Sequence, residues 1–186
     1  MVEAAQIIDD VLDFWFGPAP YEPRPFWFLA DPAMDLLIHD RFCLLFEQAR
    51  DGQWDDLSES ARGTLALIII LDQFPRNLYR GDARSFQTDP LALALAKHAV
   101  HQGYDQEVDP VQRVFFYLPF EHAEDLAEQE TCLNLCKPLS PGAYHYAVRH
   151  HAIIEKFGRF PHRNEVLGRL STAEELEHLK DGNPFG

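Results

Sequence analysis

Three arginines, a histidine, an asparagine and two glycines fall within thirteen positions in the run Phe157-Gly158-Arg159-Phe160-Pro161-His162-Arg163-Asn164-Glu165-Val166-Leu167-Gly168-Arg169. A shorter echo lies upstream at Leu71-Asp72-Gln73-Phe74-Pro75-Arg76-Asn77. Each copy sets a Phe-Pro step directly after an apolar helical pattern and follows it with Arg and Asn. Arginine presents a planar fork of donors that captures a carboxylate or phosphate through two bonds at once. Two such corners folded together would form one guanidinium-rich hollow. It would suit a small anion or the carboxylate of an acidic peptide end.

The wider polar set joins Asp72, Gln73, Arg76, Asn77 and Arg113 with Glu121, His122, Glu124 and Asp125. His150, His151, Arg159, His162, Arg163, Asn164 and Arg169 complete it. On the binding reading the ligand contacts are Arg76, Asn77, Arg113, Glu121, His122, Glu124, Arg159, His162, Arg163, Asn164 and Arg169. On a catalytic reading His122 or His162 transfers protons beside a carboxylate such as Glu124, as in a hydrolase with or without a metal. No nucleophile–base spacing names the reaction. On a structural reading the arginines pair with Asp72, Glu121, Glu124 and Asp125 to lock helix ends, and the asparagines close turns.

A metal site is not expected. Glu121, Glu124, Asp125 and Glu128 sit at helical spacings, but the paired Glu-x-x-His motifs of di-iron bundles are missing, which fits a solvated acidic face. Nor is a cofactor expected, because the chain has no phosphate-binding glycine loop, no Gly-x-Ser-x-Gly elbow and no His-Glu-x-x-His.

The elements that must position these groups read as helices throughout. Ile7, Ile8, Val11, Leu12, Trp15 and Phe16 recur at helical spacing before Gly17-Pro18. Prolines at 18, 20, 23 and 25 mark an extended connector, anchored by Phe26, Trp27 and Phe28. An interaction protein could use those aromatics to dock a partner. Asp31-Pro32, Asp89-Pro90 and Asp109-Pro110 each read as a helix start, with Asp capping and Pro in the first turn. The run Leu65 to Leu71 is apolar on every side and lacks a strand partner, so it reads as a buried helix. A helix from Pro110 should stop at Pro119. From Phe120 to Cys136 the pattern places His122 and Gln129 on one stripe with Leu126, Leu133 and Cys136. Gly142 to Phe157 is helical, and Ser171 with Glu174 reads as a capping box for a last helix ending at Gly182. The expectation is one all-α domain over residues 1–186, with about eight helices in antiparallel pairs.

Composition narrows the partners. With 186 residues the chain can bury a proper core, and 14 phenylalanines suggest a bulky one. A net charge of -14 disfavours nucleic acid, whose phosphates are bound through excess Lys and Arg. It disfavours an anionic membrane surface for the same reason. The three cysteines form no zinc pattern and read as reduced, packed thiols. The first ten residues carry acids but no base, so no signal peptide is expected. The expected setting is the cytoplasm, and the oligomeric state is left open.

Four separated motifs carry a family resemblance. Val11-Leu12-Asp13-Phe14-Trp15-Phe16-Gly17, Leu71-Asp72-Gln73-Phe74-Pro75-Arg76-Asn77, Glu121-His122-Ala123-Glu124-Asp125 and Phe157-Gly158-Arg159-Phe160-Pro161-His162-Arg163-Asn164 occur in order. Together with Leu167-Gly168-Arg169-Leu170-Ser171-Thr172 they resemble the bacterial "domain of unknown function 924" family over nearly the whole chain. The resemblance implies an all-α fold similar to tetratricopeptide-like helical domains. It implies no activity, since the family is named for lacking one.

Overall fold

The computed structural model describes residues 2–180. Among them every regular element is helical and there is no strand. Helix α1 (Val2–Phe16) ends where Gly17 turns into the left-handed region at φ +73°, a conformation open to a residue without a Cβ. The proline-marked connector follows and folds one 3-10 turn, Pro25–Trp27. Helix α2 (Pro32–Arg50) starts at Asp31, whose carboxylate accepts from the amides of Ala33 and Met34 at 3.0 and 3.2 Å.

Helix α3 (Ala61–Ile68), capped by Ser60, runs without a break into a π turn (Ile69–Gln73) and then α4 (Phe74–Leu78). This continuous segment is the apolar run expected to be a buried helix, and Leu65, Ile68, Ile69 and Ile70 are fully buried. The π turn is the local adjustment that carries the chain past Pro75, which has no amide hydrogen to donate. Counting 61–78 as one helix gives eight in the described residues, with α5 (Asp89–Gln102), α6 (Pro110–Glu121), α7 (Leu126–Cys136), α8 (Pro141–Phe157) and α9 (Ala173–Lys180). Consecutive helices pack on one another from α5 to α8.

Several sequence readings need correction. Pro119 does not end α6, which continues to Glu121. The segment 120–136 is not one helix, because α7 begins afresh at Asp125, which accepts from the amides of Ala127 and Glu128. His122 therefore closes α6 and does not share a stripe with Gln129. Gln129 is buried and donates to the carbonyls of Phe120, Glu121 and Ala123 at 3.3, 2.7 and 2.8 Å, tying the loose end of α6 to α7. The last capping box is Thr172 with Glu175, one residue later than expected. The expected end of that helix at Gly182 lies outside the described residues.

Aromatic rings fill the core. Trp15 meets Phe26, Phe74 and Phe115 edge-on at 5.2, 5.7 and 5.9 Å between centroids, and Trp27 meets Phe115 at 4.9 Å. Such pairs add about 0.5–1.5 kcal/mol each beyond the area they bury. The connector is thereby pinned between α1 and α6, and the Trp27 indole N–H donates to the Trp15 carbonyl at 3.0 Å. Trp15, Phe16, Phe26 and Trp27 are consequently buried, which removes them as a docking surface for a partner. Phe28 alone of the five stays exposed.

Candidate functional site

The two proline-marked corners do meet. Asp89, at the start of α5, accepts from Arg76 Nη1 at 3.0 Å through Oδ1, and from Arg76 Nη2 at 3.3 Å and Arg163 Nη1 at 3.1 Å through Oδ2. Asp89 was expected to cap its helix as Asp31 and Asp109 do. Instead Thr88 takes the N-cap position and the Asp89 carboxylate faces the two arginines. No signal in the sequence separates this Asp-Pro from the other two; only the packing of three distant segments does.

Beside this bridge lies a cavity of about 750 Å³. Arg76, Asn77, Arg80, Glu121, His122, His150, His162 and Arg163 line one part of it. Phe26, Trp27, Phe28 and Leu29 from the connector, and Val111, Val114, Phe115 and Leu118 from α6, line another. The sequence offered Phe26, Trp27 and Phe28 as an anchor or a docking surface and gave no signal that they share a cavity wall with α6.

Arg163 is 6% exposed and its guanidinium lies between the rings of Phe86 and Phe160, at 4.5 and 4.6 Å from their centroids. Its Nη2 donates to the His122 carbonyl at 3.0 Å, while its Nε has no partner among the described residues. Burial pulls its pKa down to about 10 against the pull of Asp89. Arg76 goes the other way: burial opposes its charge, but Asp72 and Asp89 outweigh it and raise its pKa.

Asp72 is fully buried beneath the cavity. Burial alone would raise its carboxyl, yet Arg76, His122 and Gln73 hold it well below the usual carboxylate range. His122 Nδ1 stands 2.8 Å from Asp72 Oδ1. Burial first, and then Arg76, lower the His122 pKa, so the ring is neutral near pH 7. The ionised Asp72 can only accept, so Nδ1 carries the proton and Nε2 keeps its lone pair. This is the way a carboxylate orients a histidine base.

Glu121 lies alongside, buried, with His150 Nδ1 at 3.4 Å from its Oε1. Burial and then the charge of Asp72 push its pKa up to about 8, so near neutrality it is a carboxylic acid and a hydrogen-bond donor. His150, whose Nδ1 donates to the Tyr146 carbonyl at 2.9 Å, is driven down to about 3 by burial. His162 falls to about 4 through burial and then Arg163.

The other expected ligand contacts lie outside the cavity wall and brace the fold. Arg169 grips Glu124 with two bonds of 2.6 and 2.9 Å, and the Phe160 amide donates to Glu124 at 2.7 Å. Although burial works against it, these partners keep the Glu124 carboxyl below its ordinary range. Arg159 grips Glu175 at 2.6 and 2.9 Å. Asn164 donates to the Ser171 hydroxyl at 3.0 Å, and Arg113 to Gln106 at 3.0 Å. Asp125 is a helix cap. The polar set is thus split between residues that line the cavity and residues that brace the fold. Among the described residues no three His, Cys, Asp or Glu side chains converge as a metal site, and no helix is long and apolar enough to cross a membrane.

Residues 11–183 match the family described as bacterial protein of unknown function (DUF924). A solved structure of a protein of unknown function from Agrobacterium tumefaciens is 45% identical to the chain and superposes with a TM-score of 0.90. That match covers 96% of this chain and 99% of the other. No curated protein matches the sequence.

Proposed function

The chain belongs to the DUF924 family of bacterial proteins of unknown function, and on that premise we propose that its cavity binds a small anion or the carboxylate of a peptide end, against Arg76 and Arg163, in a cytoplasmic setting. One observation carries this reading. The cavity wall contains three arginines, Arg76, Arg80 and Arg163, while Asp72, Asp89 and Asp35, which pair with them, are not among its lining residues. The one acidic side chain in the wall among the described residues is Glu121, which is protonated near neutrality. In a chain of net charge -14 the cavity is thus a local surface that an anion can approach. Asp89 divides its charge between two guanidinium groups, so Arg163 is left with a share that a bound carboxylate would complete.

Calorimetry and thermal-shift measurements with acetate, inorganic phosphate and carboxylate-ended peptides test the reading. A ligand selective for the folded state raises its stability by RT ln(1 + [L]/Kd). Binding should be lost in Arg163→Gln and kept in Arg159→Gln, whose partner Glu175 is remote from the cavity. No stabilisation by any anion overturns it.

The 2.8 Å contact between His122 and Asp72 supports a second reading, a hydrolase in which His122 Nε2 removes a proton from water. Glu121 would supply the leaving group with a proton. Asp72→Asn would let the imidazole take the wrong tautomer and should depress turnover of nitrophenyl esters severely. Absence of turnover in the unmodified protein rejects this version.

A further inference from the structure

We infer that the ligand is amphipathic, an organic anion whose charged end meets Arg76 and Arg163 and whose apolar body lies along α6. This rests on the anion-binding reading above and narrows it to a chemical class. Helix α6 provides the axis. Val111, Val114, Phe115 and Leu118 fall at i, i+3, i+4 and i+7, and Glu121 and His122 continue the same face one turn later. All six line the cavity, so one helix face grades from apolar to polar along its length. From Val111 to Glu121 the helix rises about 15 Å, at 1.5 Å per residue. That matches the reach of a medium-length alkyl chain ending in a carboxylate.

The connector, packed against α6 through Trp27 and Phe115, adds the adjoining part of the wall. Phe28 and Leu29 line the cavity yet are 60% and 61% exposed, large apolar side chains left in water beside an apolar space. An acetate or phosphate ion would occupy the arginine end and leave most of the 750 Å³ unfilled. A peptide would bring backbone N–H and C=O groups against Val111, Val114, Phe115 and Leu118, whose side chains offer no hydrogen-bond partner. An alkyl or aryl body brings no such demand.

The experiment is a calorimetric series of acetate, hexanoate, octanoate and decanoate, each below its aggregation concentration, with decanol as the uncharged control. Affinity should rise about fourfold for each methylene added, as burial in an apolar space predicts. Decanol should bind at least tenfold more weakly than decanoate. Val114→Trp, which fills the apolar arm, should weaken decanoate at least tenfold and leave phosphate binding unchanged. Leu29→Ser, at an exposed site that leaves folding intact, should weaken decanoate several-fold. A flat series with equal binding of acetate and decanoate overturns the amphipathic assignment and leaves the anion reading standing. Equal binding of decanol and decanoate overturns the anion reading, and no binding of any probe overturns both.

Discussion

Replacing Glu121 by Gln probes a strongly perturbed acid in the cavity wall. Glu121 is buried with no cation to compensate it, and its pKa stands at about 8 against an unfolded value near 4.5. Between those values the folded protein binds a proton that the unfolded chain has released. Stability must therefore fall as pH rises through that window, and level off above the folded pKa. Glutamine cannot titrate, so Glu121→Gln abolishes that contribution. His150 and His162, held near 3 and 4, act in the opposite sense and favour folding as pH climbs toward 6.5. Those histidines titrate alike in both proteins, so the difference between variant and parent isolates Glu121. From about pH 6.5 to about pH 8 the variant should gain about 1.5 kcal/mol on the parent. Urea unfolding at a series of pH values measures it. A difference that stays constant across that range, or a Glu121 carboxyl stretch that titrates near 4.5 in infrared spectra, would refute the account of a neutral acid in the wall.

Asp89→Asn removes the carboxylate that two buried or part-buried guanidinium groups share, and should cost about 3 kcal/mol by denaturant unfolding. Arg80→Ala breaks an ion pair with Asp35 that is nearly half exposed, and should cost under about 1 kcal/mol in the same assay. A Cβ at Gly63 would stand 2.0 Å from the Leu57 carbonyl oxygen, so Gly63→Ala must displace backbone and should lose about 3 kcal/mol, visible as a lower melting temperature. Gly158, at φ +68° with open space around it, closes α8; Gly158→Ala should cost only about 1 kcal/mol. Trp15→Ala empties the centre of the aromatic cluster and should cost about 3–5 kcal/mol.

The helical class was legible because it rests on local rules. Periodic apolar residues, the Asp31 and Asp109 caps and the Gly17 terminator act within a turn or two of the chain. The meeting of Arg76 with Arg163 was foreshadowed by the repeated Phe-Pro-containing corners. Their roles were not, because a guanidinium in a cavity wall and one bracing a turn look alike in sequence. Arg163 lines the cavity and Arg169, six residues on, grips Glu124. The bridge to Asp89 spans 74 positions. Only the docking of α4, α5 and the Pro161–Arg163 turn decides that this carboxylate leaves its helix end for the arginines. The same packing strips water from Glu121 and sets Asp72 beside it, turning a common surface acid into a neutral one. Residue types and spacing were fixed along the chain; charge state, and which face of α6 meets empty space, depend on what three dimensions bring near.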